Sequence, residues 1–355
     1  FLAAHQTGNA PDIQYVYVDD LGTAIQQGAL ADLNEVFIDE WSESEKRDFP
    51  ESFWNYGTVA GKKYQLMLYP TSDVIFYRAD LFEAAGIDPA DVKTWDDFID
   101  AGKKLTQDTD GDGVIDVWGF GQGFSLEKHD PPVWLTMLLD LQDSLLKEDG
   151  TARWATEAGV KSMNKMLSMI DEHGITQPGA ISTSIEDLYE GLASGKYAMI
   201  LGSALRMERI RGEANYDPED LQILPKPTWD GEGVGPSQLR GWPVGIWSES
   251  NVKDEAGQFV EYMFSPEADL IWGKVGGQVP MRLSTLDDPY YDKARNAYMQ
   301  VVLDGLSGAG WALPLDANMK GYMIDILRAV HDVMQGNAEP RAALRAAERE
   351  FNARQ

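Results

Sequence analysis

Cysteine is absent from this chain of 355 residues. Its absence excludes disulfide bonds, thiolate metal sites and cysteine nucleophiles. Histidine is scarce as well, and the four histidines show no pair at the spacing that zinc ligands require. The sequence also lacks an apolar run of the length that crosses a bilayer, so no direct insertion into a membrane is expected.

Positive charge is in short supply relative to negative charge. Lysine and arginine together number 30 against 58 aspartates and glutamates, which gives a formal net charge of −28. A surface of this sign repels phosphate backbones and anionic lipid headgroups, so neither nucleic acid nor a membrane surface is expected as a partner. An ordinary acidic periplasmic protein and a salt-adapted protein both show such a balance.

The length of the chain exceeds what a single hydrophobic core usually serves, which predicts two lobes. We predict that lobe 1 comprises residues 1–117 and 246–310, and that lobe 2 comprises residues 118–245 and 311–355. The first residues, Phe1–His5, contain neither a basic stretch nor a long apolar stretch, so no signal peptide is expected within this chain.

Strand and helix patterns alternate along the chain. Ile13–Val18 is rich in β-forming residues and predicts a strand that ends at the acidic turn Asp19–Asp20. Thr94 is followed by Asp97 and by an apolar stripe of helical period, which predicts a capped helix. Tyr197–Leu201 predicts a further short strand. This alternation favours an α/β fold with mostly parallel sheets.

The segment 60–97 is the most informative stretch. It reads Gly-Lys-x-Tyr, an apolar run, Tyr-Pro-Thr-Ser-Asp, a second apolar run, Ala-Asp-Leu-Phe-x-x-Ala-Gly-Ile and Thr-Trp-Asp-Asp-Phe. In this order it resembles the extracellular solute-binding proteins of sugar importers, of which maltose-binding protein is the familiar member. Six further pieces follow the order of that family: Gly8–Asp12, Gly28–Leu33, Gly195–Ser203, Gly241–Trp242, Ser265–Ala268 and Gly276–Pro280.

The resemblance implies a two-lobed periplasmic-binding-protein fold of the α/β class. Each lobe would be a mostly parallel sheet flanked by helices, a hinge would join the lobes, and the ligand would lie in the cleft between them. The family begins with a strand, a helix and a second strand before the helix that leads to Pro11–Asp12. By this resemblance the chain opens within that helix, so we expect a strand–helix–strand unit of roughly 30 or more residues to be absent from it, either because the chain is trimmed or because that lobe is built differently.

Two polar stretches are expected to supply ligand contacts, because ligands of open α/β sheets lie beyond the carboxyl ends of strands. One of Asp19 and Asp20 is expected to accept hydrogen bonds from ligand hydroxyls, with a helix N-cap as the alternative. The second stretch is predicted to be a loop between two apolar runs, and an ordinary surface loop is the alternative. Its candidate residues, which the resemblance implies, are Tyr69, Thr71, Ser72 and Asp73.

Aromatic and arginine side chains are expected to form the rest of the site, since aromatic faces suit the C–H faces of sugars and polar groups suit their hydroxyls. Trp242 is the first stacking candidate and Trp311 the second, and core packing is the alternative for Trp242. Further candidates are Ser203, Arg206, Arg240, Trp272, Gly276 and Gly277, together with Glu127 and His129 in a polar loop.

Three of these candidates have competing interpretations. The family often carries a tryptophan shortly after the serine at position 203, whereas this chain has Ala204-Leu205-Arg206. Arg206 either forms a bidentate interaction with a carboxylate, sulfonate or phosphate of the ligand or is a solvated arginine on a helix face. Trp272 is equally suited to the core, and His129 is expected to form hydrogen bonds rather than to bind zinc.

An acidic turn matches the first half of a calcium-binding loop. Asp108–Gly113 follows the D-x-D-x-D-G pattern, in which alternate carboxylates converge on one hard cation. The twelfth position, normally glutamate, is Gly119. A structural calcium is therefore one interpretation, and an Asp/Gly turn that caps itself is the other. The candidate ligands are Asp108, Asp110, Asp112 and Asp116.

Three classes of function compete. The first is the substrate-binding component of an ABC importer, which is not an enzyme and binds a saccharide or sugar derivative. Such a protein is expected to be a monomer in the periplasm or outside the cell and to work with membrane permease subunits. It needs no cofactor other than a possible structural calcium. The second is a glycoside hydrolase, although no carboxylate pair forms a recognisable motif. The third is a calcium-dependent carbohydrate-binding module. Because Arg206 and Arg240 are among the site candidates, the possibility that the ligand is an anionic sugar stays open.

Overall fold

Helices and short strands alternate in the structure, which is a computed structural model. The described residues are 1–16, 18–127, 132–292, 296, 298–303, 310–313, 319 and 321–355, without the side chains of Val18, Asp19 and Tyr69. Within these ranges, no helix combines the length and the apolar character that crossing a bilayer requires.

The strands are short, and most helices span between one and four turns. The strands are β1 Ile13–Tyr15, β2 Thr58–Val59, β3 Lys62–Lys63, β4 Leu66–Thr71, β5 Asp73–Arg78, β6 Met199–Ser203, β7 Leu221–Leu224, β8 Ser237–Gln238, β9 Arg240–Ile246 and β10 Gly310–Trp311. The first helices are α1 Leu2–Gln6, α2 Val18–Gln26, α3 Leu33–Val36, α4 Glu43–Arg47, α5 Glu51–Asn55, α6 Ala79–Ala84, α7 Trp95–Leu105 and α8 Val133–Leu139. The remaining helices are α9 Glu157–Asp171, α10 Ile185–Ala193, α11 Met207–Glu213, α12 Lys253–Met263, α13 Pro266–Gly276, α14 Tyr322–Met334 and α15 Pro340–Asn352.

The chain divides into two compact units. Unit 1 comprises residues 1–72 and 238–320, and unit 2 comprises residues 73–237 and 321–355. The chain therefore crosses between the units three times, at positions other than those that the sequence predicts. The first crossing lies after Ser72 because the next strand, β5, pairs with β6 and β7 of unit 2. The second lies before β9 because that strand pairs with β1 and β4 of unit 1.

The sheet of unit 1 has the order β1–β9–β4. Its apolar face packs onto α3, α12 and the segment around Trp41, with Leu66, Leu68, Val244 and Ile246 in one buried cluster. The neighbouring strands are antiparallel, with Ile13 opposite Ile246 and Leu66 opposite Val244.

The sheet of unit 2 has the order β6–β5–β7, and all six residues of the central strand β5 are buried. Both ladders in this sheet are antiparallel. In the described part of unit 2, parallel contacts are single bridges that join Trp118 to Tyr197, Gly121 to Ile200 and Thr94 to Thr228.

The prediction of mostly parallel sheets is therefore wrong for the ladders described in both units. In each case a central strand runs against its two neighbours. Strand β9 is antiparallel to β1 and β4, and strand β5 is antiparallel to β6 and β7. The two-lobed α/β class itself is confirmed.

Local signals in the sequence predicted one helix closely. Helix α7 begins after Thr94, whose hydroxyl accepts a hydrogen bond from the Asp97 amide at 3.1 Å, while the Asp97 carboxylate accepts one from the Thr94 amide at 2.8 Å. This reciprocal cap satisfies two amides that a helix start otherwise leaves without partners. Its predicted apolar stripe is buried as expected.

Two predicted boundaries are wrong. The first strand ends at Tyr15 rather than at Val18, and α2 already begins at Val18, so Asp19 and Asp20 belong to a helix rather than to a turn. The stretch from Tyr69 to Asp73 is not a loop, because β4 runs to Thr71 and β5 starts at Asp73. A single residue, Ser72, separates these two strands, which belong to different sheets.

Candidate functional site

Two aromatic side chains of unit 1 form an exposed pair. Trp242 on β9 is 48% exposed and Tyr15 on the adjacent β1 is 51% exposed. Their ring centroids lie 5.8 Å apart at an interplanar angle of 75°, an edge-to-face arrangement. The alternation of side chains places Trp242 on the same sheet face as the buried Val244 and Ile246. Its exposure shows that it lies past the end of the core packing, which contradicts the alternative of a core tryptophan.

The polar residues at the end of β4 are buried. Thr71 is 2% exposed and Ser72 is 1% exposed. Thr71 pairs in register with Arg240, the first residue of β9, after an irregularity in the ladder that follows Leu68. Strand pairing thus positions these three candidates together, and it rules out an ordinary exposed loop. Tyr69 lies in the same strand, but its side chain is outside the described part of the structure.

A cavity of about 280 Å³ lies in unit 1 beside Trp311. Its described lining carries hydroxyl, amide, indole and aliphatic groups and no charged side chain. Ser52 Oγ is buried here and has no hydrogen-bond partner among the described residues. Cavities that bind small molecules are usually of this size or larger. The described lining residues are Ser52, Asn55, Tyr56, Leu239, Gly310, Trp311, Ala312 and Leu313.

Sequence reasoning found Trp311 but missed its neighbours in this cavity. Ser52, Asn55 and Tyr56 lie in and just after the short helix α5, far from Trp311 along the chain. No motif marks them. The only local signal is the aromatic-rich run from Phe53 to Tyr56, which composition alone does not separate from a core segment.

The candidates at the end of α13 have structural roles. Trp272 is half-buried and packs against the hydrophobic cluster of unit 1. Gly277 has φ +63°, the left-handed conformation that ends many helices, and its amide donates to the Gly273 carbonyl at 3.1 Å. Its carbonyl accepts a hydrogen bond from the Tyr298 hydroxyl at 2.9 Å. A ligand contact from Trp272, Gly276 or Gly277 stays a prediction.

In unit 2, two candidates face each other across a ladder. Asp73 begins β5 and lies opposite Ser203, the last residue of β6. Asp73 is 4% exposed, and the Ser203 amide donates to the Tyr189 hydroxyl at 2.9 Å. The antiparallel pairing thus brings Asp73 and Ser203 to the same sheet end although they lie far apart along the chain.

Arg206 is already paired within unit 2. Its guanidinium lies 3.4 Å from the carboxylate of Glu186 and 5.7 Å from the ring centroid of Tyr189. Glu186 also pairs with Arg209 at 2.6 Å, so one carboxylate is shared between two arginines. This surface network favours the interpretation of Arg206 as a solvated arginine and weakens the case for an anionic ligand group at this position.

The remaining acidic and histidine candidates are not brought together. Asp20 is half-buried within α2, and nothing is described of the Asp19 side chain. Glu127 is exposed, and its amide donates to the Ser125 hydroxyl at 3.3 Å. His129 lies outside the described residues.

The acidic turn of unit 2 brings three of its four carboxylates together. Oxygen atoms of Asp108, Asp110 and Asp116 lie within 4.8 Å of one another, all on exposed residues. Asp112 lies outside this cluster and accepts a hydrogen bond from the Val114 amide at 2.7 Å.

The carboxylates of this turn already accept hydrogen bonds from the turn itself. Asp108 accepts from the amides of Gly111 at 2.7 Å and Gly113 at 2.8 Å. Asp116 accepts from the hydroxyl and the amide of Thr109, and these bonds lower the pKa of its carboxyl group. This pattern supports the self-capped turn, and a calcium ion here stays a prediction.

The chain matches the family model of bacterial extracellular solute-binding proteins over residues 1–269. Among curated relatives, a probable amino-acid ABC transporter periplasmic-binding protein of Sinorhizobium fredii is 25% identical over 74% of the chain and 57% of the relative. An arabinooligosaccharide-binding protein of Bacillus subtilis is 26% identical over 70% of the chain and 54% of the relative. The matched part thus spans little more than half of the length of these two relatives.

Among solved structures, an ABC transporter solute-binding protein of Thermotoga lettingae with bound α-D-tagatose superposes with a TM-score of 0.81. The two sequences are 21% identical, and the match covers 99% of this chain and 87% of the other. At this identity the likeness concerns the fold.

Proposed function

The chain belongs to the bacterial extracellular solute-binding protein family, and from this premise we propose that it binds a saccharide or a sugar derivative for an ABC importer. Membership of this family makes it a binding protein rather than an enzyme. The proposed partners are the membrane permease subunits of the importer, the proposed location is the periplasm or the cell exterior, and the proposed state is a monomer. We further propose that the three chain crossings between the units form the hinge.

The observation that carries the proposal of a sugar ligand is the exposed aromatic pair of Tyr15 and Trp242. Exposing two large aromatic rings to water is unfavourable, and because each ring is already about half buried, covering the rest would release on the order of 1 kcal/mol per ring. Sugar rings present apolar C–H faces that pack against such rings. The pair lies next to the polar candidates Thr71 and Arg240, which offer hydrogen-bonding groups for hydroxyls.

The cavity beside Trp311 supports an uncharged ligand group. Its described lining offers hydroxyl and amide groups with an indole, and none of the described lining residues carries a charge. Ser52 Oγ, buried without a described partner, is suited to a ligand hydroxyl. The ion pairing of Arg206 with Glu186 points in the same direction, because it satisfies the arginine that an anionic group would need.

Two relatives support different ligand classes. The arabinooligosaccharide-binding protein supports a saccharide, whereas the relative described as a probable amino-acid binding protein supports an amino acid. The aromatic pair and the uncharged cavity favour the saccharide, because an amino acid brings two charged groups that need charged or strongly polar partners.

A thermal-shift screen tests the proposal. The probes are arabinooligosaccharides, tagatose, ribitol, a sugar acid and the common amino acids. A ligand that binds only the folded state stabilises it by about 2.7 kcal/mol at one hundred times its Kd, which raises the melting temperature. A shift with a neutral sugar or polyol is expected, and a shift with amino acids alone would refute the saccharide proposal.

A pair of matched variants then tests the aromatic site. Trp242→Ala should remove most of the ligand-induced shift and leave the melting temperature without ligand nearly unchanged. Phe259→Ala is the control, because Phe259 is 56% exposed on α12 of the same unit and is no ligand candidate. A large loss of stability in Trp242→Ala with the ligand response intact would show that Trp242 serves folding and not binding. Release of reducing ends from oligosaccharides by the purified protein would favour the hydrolase alternative.

A further inference from the structure

Lys226 is a buried cation that the proposed ligand contacts do not use. It lies just beyond the end of β7 and is 5% exposed. Its ammonium donates a hydrogen bond to the Pro236 carbonyl at 2.7 Å, and its own carbonyl accepts one from the Gly235 amide at 2.8 Å. A buried charge is retained only where polar groups compensate it. The groups that compensate the Lys226 ammonium are therefore the ones whose positions it can fix.

The second compensating group is the carboxylate of Asp73. Strand β5 pairs with β7 through Ile75 opposite Leu224 and Phe76 opposite Ile223. The observed register stops at Ile75 and Leu224, and extending it by two residues would bring Asp73 opposite Lys226, just beyond the end of β7. Burial lowers the pKa of Lys226 to about 8, and the Asp73 carboxylate opposes that shift by favouring the charged amine. Asp73 is itself 4% exposed, so its carboxylate interacts with the Lys226 amine away from bulk water.

Both partners of Lys226 flank chain crossings. Asp73 is the first residue of unit 2 after the crossing that follows Ser72. Pro236 immediately precedes Ser237, the last residue of unit 2 before the next crossing. The Lys226 side chain thus donates a hydrogen bond to the residue that precedes the end of unit 2 at one connection, and its charge interacts with the first residue of unit 2 after another.

We propose that Lys226 is a positioning residue that holds the unit 2 ends of these two connections in fixed places. On the unit 1 side, the pairing of Thr71 with Arg240 holds the same two connections. Backbone rotation is then confined to the residues between these anchors, namely Ser72 and residues 237–239. Hinges of binding proteins are a few such residues at element ends.

This role differs from a contribution to stability. Burial of the charged amine is unfavourable, as the lowered pKa shows, and buried ionic groups often serve conformational specificity more than stability. The effect of Lys226 on hinge closure around a ligand rests on the proposed function. Its role in fixing the two connections does not, and that role can be measured without any ligand.

Amide hydrogen exchange of the full chain tests the proposal in Lys226→Met, which keeps an unbranched chain and removes the charge. The amides of residues 72–73 and 237–239 are expected to exchange about tenfold faster, because loss of a hydrogen bond from a charged donor releases the connections. The amides of residues 74–78 in β5 and those of β6 are expected to keep their wild-type rates, since their ladder does not involve Lys226.

Lys63→Met is the matched control. Lys63 is also buried, and burial also lowers its pKa to about 8, but its ammonium donates to the Trp54 carbonyl and to the Thr58 hydroxyl within unit 1. This variant should leave the exchange of the connections unchanged. The proposal is overturned if Lys226→Met leaves the connections as slow as in the wild type, if Lys63→Met accelerates them equally, or if Lys226→Met accelerates exchange throughout unit 2, which would mark Lys226 as an ordinary packing residue.

Discussion

The two buried lysines predict an unusual response of stability to alkaline pH. Burial lowers the pKa of Lys226 and of Lys63 to about 8 from the ordinary lysine value of 10.5. Between these values the unfolded chain binds more protons than the folded chain, so stability rises with pH. The unfavourable burial of each charge is fully present below pH 8 and is relieved as the pH rises from about 8 towards the unfolded pKa.

The size of the effect follows from the same two pKa values. With a folded pKa of about 8, the free energy of unfolding should gain about 2 kcal/mol per lysine between pH 7 and pH 9.5. Tyrosines do not interfere in this range. Burial raises the pKa of Tyr197 and of Tyr216 to about 12, so their effect, of opposite sign, begins only where unfolded tyrosine ionises near pH 10.

Urea unfolding followed by tryptophan fluorescence measures the effect at pH 7 and at pH 9.5. The comparison is between the wild type and Lys226→Met, because their difference cancels every other titrating group. We expect the wild type to gain about 2 kcal/mol relative to the variant over this range. The wild type should likewise gain stability relative to Lys63→Met, independently of the first effect, since Lys63 belongs to unit 1 and Lys226 to unit 2.

One result would refute the reasoning. If the difference in unfolding free energy between the wild type and Lys226→Met is the same at both pH values, the lysine titrates as it does in water. Its amine is then not desolvated in the folded chain, and neither the pH effect nor the holding of the connections by a buried charge stands.

Two further predictions concern unit 2. Gly119→Ala should destabilise the protein by about 1–3 kcal/mol in urea unfolding. A Cβ atom at this position would lie 2.1 Å from the Gly102 carbonyl oxygen, so the backbone must shift. Wild-type stability in this variant would show that the close approach is absent. Adding EGTA should leave the melting temperature unchanged, since the carboxylates of Asp108 and Asp116 already accept hydrogen bonds from their own turn. A fall of several degrees in the melting temperature that calcium reverses would favour the calcium site.

Features that depend on neighbouring residues were readable from the sequence. The cap of α7 rests on Thr94 and Asp97, three residues apart, and the buried stripe of the helix follows from its own period. The acidic turn likewise caps itself with groups a few residues apart. The order of the short motifs indicated the family, which the match over residues 1–269 confirms.

Other features depended on which strands meet, and here sequence reasoning failed or was silent. Asp73 was expected in a loop, yet it begins a buried strand because its partner Ser203 lies far away along the chain in β6. The cavity around Trp311 joins residues near position 55 to residues near position 310. The burial of Lys226 arises in the same way, since it follows β7, whose partner β5 lies far away along the chain.

The sequence by itself thus determined the family, the α/β class and the caps of single helices, because these follow from motif order and from hydrogen bonds between near neighbours. Tertiary structure alone decided the strand directions, the chain crossings, the exposure of Trp242 and the burial of Lys226. The physical reason is that burial and register are properties of pairs of distant segments. A residue's own surroundings in the sequence do not reveal whether water or another strand covers it.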